Sequence, residues 1–526
     1  MRPNVLVIVA DQLRADHLGH ANKDLPISTP HIDAIALDSR RFTRAYVANP
    51  TCMPNRATIA TGRWPSVHGT RTNGVTLDWQ AETFMRSMRR TGYKTSAIGK
   101  LHFQTMGWPY EGFQLADIEE HAPEVLNDLP DARVYSGIGE GKDWQQWENS
   151  ERHREGYFEL PTDYYGFDTV DLAVGHGDRP SGHYWHWAKS RGANLEELAG
   201  WQNSKKRRAD WDQVYVSQVP AELHPSSFVV ERATARLKDA ASSEDPFLCF
   251  VSFPDPHHPF APPAEFMPDI DPATLPLPET FFASHSESPP HLQQIAAHRG
   301  TPPEDPTMTW APTVEQFQDA LRAQIGQIQF VDQAVGKIVS AAREATKDRP
   351  LIIVFTTDHG DLFGDHGLML KHFVHYEAVT RVPLLISGPM LDIGIDDRLV
   401  SSADIAPTLL ELTGCRGWRG IQGRSLVGKS KKPWRDGLIV EEDQPFGLEG
   451  MSGPVRLRTL ITPDYRLTAY AGQEYGELYD RSSDADDGKN LFSTESHKNE
   501  RGEAFEKLAR EMMAIADEGR KPMASA

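Results

Sequence analysis

Short apolar runs, each followed at once by polar residues, recur along most of the chain. Val5–Ala10 and Leu351–Phe355 are two of them, and their β-branched composition is typical of strands buried on both faces of a parallel sheet. Helical patterns separate the runs, and the longest is an amphipathic stretch over Val314–Thr346. This alternation predicts an α/β fold with helices on both faces of a sheet.

Three parts of the chain depart from this rhythm. Residues 108–223 and 261–312 show no regular period, and we interpret both as insertions with short elements of their own, because long structureless loops are rare in compact domains. Beyond Cys415, short alternating segments precede a terminal helix, which predicts a smaller α+β subdomain. We therefore predict a main α/β domain over residues 1–415 and a C-terminal subdomain over residues 416–526.

The composition narrows the range of partners. A formal net charge of -19 over 526 residues argues against a general nucleic-acid or membrane-surface binder, because both need a broad basic surface. A small anionic substrate is compatible with it, since the field inside a cleft can be positive in an acidic protein. The three cysteines show neither zinc-knuckle nor disulfide-framework spacing. No apolar run could span a membrane, and the opening run is too short for a signal peptide, so we expect a cytoplasmic protein.

One cysteine stands out by its surroundings. Cys52 is followed by Pro54, whose fixed φ suits a first helical turn, and Gly62 can end the short helix that begins there. Backbone N–H groups at the start of a helix favour negative charge. The stretch therefore predicts a nucleophile at Cys52, and the alternative is a buried, inert thiol.

Polar pairs follow four of the predicted strands. Each pair alone is more often a helix cap or a turn. Because the carboxyl ends of parallel strands meet at the edge where ligands bind, we expect the pairs to form one site. The carboxylates and the amide among them would suit a calcium, magnesium or manganese ion, with one imidazole added. The pairs are Asp11 with Gln12, Lys100 with His102, His257 with His258, and Asp358 with His359.

The residues around Cys52 also form a recognisable motif. Cys52-x-Pro54-x-Arg56, followed by Thr61-Gly62, resembles the signature of type I sulfatases in the alkaline phosphatase superfamily. The match continues in order from residue 4 to about 492, outside the two irregular spans. Its further elements are Asp11-Gln12-Leu13-Arg14, Gly99-Lys100-Leu101-His102, Pro256-His257-His258-Pro259, Thr357-Asp358-His359-Gly360, Gly364-Asp365-His366-Gly367, Lys371, Tyr376-Glu377, Arg381-Val382-Pro383-Leu384, Asp404-Ile405-Ala406-Pro407-Thr408-Leu409 and Glu477-Leu478-Tyr479-Asp480.

The resemblance implies both a fold and a chemistry. The fold is alkaline phosphatase-like, a large mixed, mostly parallel sheet sandwiched by helices. Cys52 would be converted after synthesis to formylglycine (3-oxoalanine) by a formylglycine-generating enzyme. One geminal hydroxyl of its hydrate attacks sulfur to form a covalent sulfated intermediate, and the other then expels sulfate.

The resemblance also implies one divalent metal ion and a set of charged groups around it. The implied metal ligands are Asp11, Gln12, Asp358, His359 and the modified Cys52. Arg56 would hold the formylglycine, with a surface ion pair as its alternative. Lys100 and Lys371 would neutralise the sulfate oxygens, although solvated surface positions are the usual fate of lysine.

Four more residues match positions near the substrate. His102 matches the base that breaks down the hemiacetal ester. His257 matches the group that protonates the leaving oxygen, and its neighbour His258 is the competing candidate. Asn73 falls where relatives place a substrate-contacting amide, with a turn residue beside Gly74 as the alternative.

Two departures from the commonest family pattern sharpen these expectations. The pairs Asp11-Gln12 and Asp358-His359 replace Asp-Asp and Asp-Asn, which resembles the branch of choline sulfatases and phosphonate monoester hydrolases. This makes manganese an alternative to calcium. Asn55 stands where Ser or Ala is usual, although the Cys-x-Pro-x-Arg minimum is intact.

Three functional hypotheses follow. The leading one is an arylsulfatase-type hydrolase of sulfate monoesters. The second is a phosphonate monoester or phosphodiester hydrolase with the same nucleophile, whose branch has Tyr and Thr where this chain has Lys100 and His102. The third is a catalytically inactive, sulfatase-like binding protein. The resemblance also favours a homo-oligomer, whereas no pattern identifies the natural substrate.

Overall fold

The computed structural model describes residues 1–22, 24–107, 145–428, 433–448, 451, 454–484 and 486–519. Within these ranges the strands form one nine-stranded sheet, one two-stranded sheet and one four-stranded sheet. The strands are β1 (Asn4–Ala10), β2 (Arg40–Phe42), β3 (Ala45–Tyr46), β4 (Lys94–Gly99), β5 (Thr169–Val174), β6 (Ser181–Gly182), β7 (Phe247–Ser252), β8 (Leu351–Thr357), β9 (Leu384–Ser387), β10 (Gly394–Asp396), β11 (Val400–Ser401), β12 (Leu438–Gln444), β13 (Val455–Ile461), β14 (Tyr465–Tyr470) and β15 (Gly476–Asp480).

Helices of very different lengths connect and cover these strands. The predicted long helix has the bounds expected from its apolar periodicity, and a capping box at Thr313 and Gln316 begins it. The α-helices are Pro30–Leu37, Cys52–Thr61, Pro65–His68, Phe84–Arg90, Ser150–Glu155, His183–Ser190, Leu195–Leu198, Pro225–Ala240, Pro290–Ala297, Val314–Thr346, Glu377–Thr380, Ile405–Thr413 and Lys498–Ala514.

The large sheet is mixed and mostly parallel, as predicted. Its strand order is β10-β2-β9-β8-β1-β7-β4-β5-β6. The central strand β1 runs parallel to both of its neighbours, β8 and β7, while β9 and β6 run antiparallel to theirs. Because β1 is paired on both sides and buried throughout, it reads as an unbroken apolar run rather than as an alternating one.

The two faces of the sheet are covered by separate layers of helices. Alternate residues of β1 point to opposite faces, so Leu6 and Ile8 pack in the core that contains the helix Val314–Thr346. Val5 and Val7 pack in the second core, on the side of the helix Ile405–Thr413. This three-layer arrangement is the predicted α/β architecture.

The C-terminal part of the chain is a small α+β unit, as predicted. Strands β12 to β15 form an antiparallel meander. On one face, Ile439 and Leu460 pack against Leu508 of the helix Lys498–Ala514. On the other face, Leu438 and Ile461 belong to the second core of the large sheet, so the unit is packed on the main domain.

The first irregular span contributes more to the main sheet than its pattern indicated. Residues 108–144 of that span lie outside the described part of the chain. β5, however, extends the large sheet in parallel beside β4. Asp171 interrupts the apolar run of this strand, and ion pairs with Arg232 and Arg236 compensate it, so the strand signal was weak in the sequence.

The helices of the described residues were also compared with the requirements for a membrane span. Among them, no helix combines the length and the apolar composition that crossing a membrane requires.

Candidate active site

Parallel pairing of β1 and β8 brings two polar strand ends together. Ala10 is the register partner of Thr357, so the residues that follow, Asp11 and Asp358, emerge side by side. The Gln12 backbone N–H donates to the Asp358 carboxylate over 3.1 Å. Ligand atoms of four buried residues lie within 4.8 Å of one another at this edge: Asp11, Cys52, Asp358 and His359.

Cys52 is the first residue of the helix Cys52–Thr61, and Gly62 ends that helix in the left-handed region with a φ of 64°, as predicted. The Cys52 Sγ atom lies 3.0 Å from the His359 Nε2 atom and 3.9 Å from an Asp11 carboxylate oxygen. At the same helix start, the Asn73 side-chain oxygen accepts a hydrogen bond from the Met53 N–H over 3.1 Å. Asn73 therefore supports the position of the Cys52 turn.

Arg56 lies beneath this cluster and contacts both of its carboxylates. Its Nε donates to Asp358 over 2.7 Å, and its guanidinium lies 3.4 Å from Asp11. A second guanidinium nitrogen donates to the Lys100 carbonyl and to the Ser252 hydroxyl, each over 2.8 Å. Because the Arg56 side chain is only 3% exposed, these are buried, geometry-setting pairs rather than a surface ion pair.

Asn55, the unusual residue of the motif, has a clear structural place. Its amide nitrogen donates to the Asp358 carbonyl oxygen, and its amide oxygen accepts from the Ala48 N–H and the Ser402 hydroxyl. The side chain therefore ties the Cys52 helix to the end of β8.

Two buried lysines, Lys100 and Lys371, contact the cluster. Lys100 donates to an Asp11 carboxylate oxygen and, over 2.6 Å, to the His176 Nε2 atom. Lys371 forms no ion pair among the described residues. Its Nζ atom lies instead near four other polar atoms: Gln12 Oε1 at 2.8 Å, His359 Nε2 at 2.9 Å, His257 Nε2 at 3.0 Å and Cys52 Sγ at 3.3 Å.

Burial and neighbouring charges shift the pKa values of Asp11 and Asp358 in opposite directions. Burial, reinforced by the neighbouring Asp358, raises the pKa of Asp11 to about 6 against the opposing effect of Lys100. Burial alone would also raise the pKa of Asp358, but Arg56, His359 and the two lysines together outweigh it and hold that pKa far below its ordinary value. A bound cation would relieve the repulsion between these two groups.

The remaining donors complete a set that fits a divalent cation. Burial lowers the pKa of His359 to about 4, and its Nδ1 donates to the Gly360 carbonyl over 2.8 Å, which leaves the Nε2 lone pair facing the cluster. Gln12 adds an amide oxygen that faces the Lys371 ammonium. Two carboxylates, one amide oxygen and one neutral imidazole are donors that calcium or manganese accepts.

Asp361 orients Gln12, a role that sequence reasoning missed. The Gln12 amide nitrogen donates to the Asp361 carboxylate and to the His258 Nδ1 atom, so the amide oxygen must turn toward Lys371. Asp361 also accepts the Leu370 N–H over 2.8 Å. Its position two residues after the predicted ligand His359 was the available signal.

His102 lies on a turn held by a buried glutamate. The backbone N–H groups of His102, Phe103 and Gln104 all donate to the Glu148 carboxylate, over 2.6 to 3.2 Å. Burial, followed by the charge of Lys100, lowers the pKa of His102 well below its ordinary value. Within the described residues its Nδ1 atom is buried without a hydrogen-bond partner.

Three histidines form a stack on the remaining side of the pocket. The His257 ring lies between His176, with ring centroids 3.7 Å apart, and His258, with centroids 4.0 Å apart. His257 and His176 place ligand atoms within 4.8 Å of the Cys52 sulfur, in a group that does not include His258. Sequence reasoning missed His176, although it follows a strand end, because the weak signal of β5 hid that strand.

Comparisons with known proteins identify the family of the chain. The family model described as Sulfatase matches residues 3–137 and 179–415, and the model for the N-sulphoglucosamine sulphohydrolase C-terminal region matches residues 364–515. The uncharacterized sulfatase YidJ of Escherichia coli (strain K12) is 25% identical over 493 residues, which cover 93% of this chain and 83% of that protein. The arylsulfatase of Clostridium perfringens is 25% identical over 511 residues, which cover 95% and 92%.

Two further comparisons involve a choline-sulfatase and a phosphonate monoester hydrolase. A choline-sulfatase of Rhizobium meliloti is 25% identical over 455 residues, which cover 85% of this chain and 74% of that protein. The solved structure of a phosphonate monoester hydrolase from Silicibacter pomeroyi superposes with a TM-score of 0.75 at 22% identity, covering 98% of this chain and 96% of that one, and so shares the fold. Since the Sulfatase model spans well over half of the sequence, the chain belongs to the sulfatase family of sulfuric ester hydrolases.

Proposed function

We propose that the chain hydrolyses sulfate monoesters of the arylsulfatase type, with a formylglycine made from Cys52 and one divalent cation, Ca²⁺ or Mn²⁺. The observation that carries the proposal is the buried cluster in which Asp11, Cys52, Asp358 and His359 place their ligand atoms within 4.8 Å of one another. A nucleophile precursor among oxygen and imidazole donors is the arrangement that a metal-assisted ester hydrolase needs.

The two added groups would supply the nucleophile and its activation. The hydrated aldehyde would supply two geminal hydroxyls, one to attack sulfur and one to release sulfate. The cation, held by Asp11, Gln12, Asp358, His359 and the modified Cys52, would act as a Lewis acid that favours the ionised hydroxyl.

The side chains of the protein would bind and balance the sulfate group. The Lys371 ammonium forms no ion pair among the described residues and points at Cys52, so its charge is available to an anionic substrate. Lys100 is paired with Asp11, and its charge therefore also offsets the carboxylates beneath the nucleophile. Both side chains are buried, which strengthens their interaction with the charge that develops on sulfate.

The histidine stack supports an assignment of the leaving-group acid. His257 Nδ1 faces the His258 carbonyl oxygen, and its Nε2 lies 3.0 Å from Lys371 Nζ near Cys52. His258 instead directs its Nδ1 to the Gln12 amide. We therefore assign the leaving-group role to His257 rather than to His258. The buried, unpartnered Nδ1 of His102 supports its role as the base for sulfate release.

Phosphonate monoester hydrolysis is the second candidate function. The observation that favours it is the ligand pair Gln12 and His359, which resembles the phosphonate hydrolase branch. Lys100 and His102 favour sulfate as the preferred ester.

We also propose maturation by a formylglycine-generating enzyme and a reducing, cytoplasmic location. The three cysteines support that location, because all are buried thiols without a disulfide.

Mass spectrometry and kinetics together test the proposal. The chain is coexpressed with a formylglycine-generating enzyme, and the tryptic peptide Ala45–Arg56 is analysed for an aldehyde at residue 52. We expect the aldehyde, turnover of 4-nitrophenyl sulfate above that of 4-nitrophenyl phenylphosphonate, and no turnover by Cys52→Ala. A residue 52 that stays a thiol, together with an untouched sulfate ester, would refute the proposal.

A further inference from the structure

His176 comes from the first irregular span and reaches the pocket from beyond β5. The turn that carries it packs on the loop of the other two histidines, because Gly177 sits directly against Pro259. A Cβ atom at Gly177 would lie 2.7 Å from a Pro259 ring carbon, and its φ of 58° also favours glycine. The close approach fixes where the His176 ring meets the pocket.

His176 contacts two side chains of the proposed active site, Lys100 and His257. Its Nε2 lies 2.6 Å from the Lys100 ammonium. Since an ammonium can only donate, Nε2 is the acceptor and the ring is in the tautomer with its proton on Nδ1. The same ring lies flat on His257, with 3.7 Å between centroids and 14° between planes. The His176 side chain therefore contacts both Lys100, which is proposed to bind the sulfate oxygens, and His257, which is proposed to protonate the leaving group.

Both neighbours need such support for a physical reason. Lys100 has a long, flexible stem, and among the described residues the other hydrogen-bond partner recorded for its ammonium is Asp11, on the nucleophile side. The His257 ring can rotate about its own bonds, and His258 covers only one of its faces. Without the ring of His176, the other face of His257 would lose its stacked neighbour.

We propose that His176 is a positioning residue that holds Lys100 by its hydrogen bond and His257 by its stacked ring. The inference rests on the proposed function, because it assigns Lys100 to the sulfate oxygens and His257 to the leaving oxygen. His176 thereby links stabilisation of the sulfate charge to protonation of the leaving group.

Two substitutions separate the two contacts. His176→Phe keeps a flat ring on His257 but removes the acceptor for Lys100. His176→Gln keeps an acceptor near the position of Nε2 but removes the ring. Both variants are compared with the wild-type enzyme in formylglycine content, metal content and thermal unfolding, so that a folding defect is recognised directly.

The measured quantity is kcat for a series of aryl sulfates with leaving-group pKa values from 4-nitrophenol up to phenol. For His176→Phe we expect kcat to fall roughly 10-fold to 100-fold for every ester, as for the loss of one hydrogen bond to a charged group. For His176→Gln we expect little loss with 4-nitrophenyl sulfate and roughly 3-fold to 10-fold with phenyl sulfate, since the stacked pair is lost. The slope of log kcat against the pKa of the leaving group should become steeper only in His176→Gln.

Other outcomes decide against the inference. Wild-type rates in both variants, or the same change of slope in both, would overturn it, because a merely structural role does not separate the esters. The matching series of aryl phosphonates is run in parallel. A wild-type enzyme that carries formylglycine but is active only on phosphonates overturns the proposed sulfate function. The slopes of log kcat against leaving-group pKa in the phosphonate series then still decide the role of His176. Inactivity toward both series overturns both proposals.

Discussion

The proposed cation-binding side and the proposed anion-binding side of the pocket are built in different ways. Asp11 and Asp358 leave adjacent parallel strands, and the register of β1 and β8 places them side by side. His102 and Lys371 lie outside the strands of the large sheet, and Lys371 takes part in an isolated β-bridge with Met308. His102 has a φ of 56°, and the residues that flank Lys371 have φ values of 70° and 97°. Left-handed conformations cost energy in residues other than glycine and need outside support.

Buried glutamates provide that support at both turns. Glu148 accepts three consecutive N–H groups at the His102 turn. Glu442, from the C-terminal sheet, accepts the Phe373 N–H and contacts the imidazoles of His372 and His375 just after Lys371. The sheet register therefore determines where Asp11 and Asp358 lie, whereas carboxylates from distant parts of the chain support the segments of His102 and Lys371.

The two glutamates differ in their electrostatic surroundings. Burial would raise the pKa of Glu442, but hydrogen bonds from His372 and His375 outweigh it and lower that pKa below its ordinary value. Burial raises the pKa of Glu148 despite hydrogen bonds from Tyr164 and the backbone. Glu442 is therefore held as a carboxylate in charge-assisted contacts, and its loss should cost more.

Replacing a strand-end ligand should have the largest effect. In Asp358→Asn the pocket loses a carboxylate that faces the cluster, and we expect the bound metal to be lost and kcat to fall by about 10³-fold or more, since several kcal/mol of charge stabilisation disappear. Elemental analysis of the purified protein and 4-nitrophenyl sulfate kinetics measure both effects. The exposed ion-pair variant Asp517→Asn serves as the control. Stoichiometric metal in Asp358→Asn would remove Asp358 from the ligand set.

Replacing Glu442 should lower turnover without changing metal binding. For Glu442→Gln we expect kcat to fall roughly 10-fold to 100-fold while metal content stays at the wild-type level, because the Lys371 turn loses charge-assisted hydrogen bonds of about 1.5–3 kcal/mol. The neighbouring Glu441→Gln is a matched control, since its carboxylate contacts Ser66 and Arg458 instead. Metal loss that parallels the loss of turnover would contradict the division between the two sides.

Replacing Glu148 should have the smallest effect. Glu148→Gln keeps one acceptor oxygen for the N–H groups of the His102 turn, so we expect kcat to fall only about 3-fold to 10-fold with unchanged metal content. Steady-state kinetics and elemental analysis measure this, with the exposed Glu151→Gln as the control. A loss as large as that of Glu442→Gln would mean that the opposite pKa shifts of Glu148 and Glu442 have no consequence for turnover.

Much of the fold and part of the site could be predicted because their signals are local. The apolar run of β1 and the amphipathic period of Val314–Thr346 each predict one element, and these elements have close to the expected bounds. The Cys52 motif is contiguous as well, so the helix start and its end at Gly62 were predictable. β5 was missed because Asp171 breaks its apolar pattern and is balanced by Arg232 and Arg236, which lie on the distant helix Pro225–Ala240.

By itself, the sequence determined the α/β class, the family and the chemical types of the groups at the strand ends, since these depend on residue order and local periodicity. Only the tertiary structure decided which side chains hold those groups in place. Asp361, His176, Glu148 and Glu442 carry no distinctive motif, and histidines and acidic residues are common throughout the chain. Their roles arise from burial beside strained turns and a flexible lysine, where one hydrogen bond between distant residues determines the geometry.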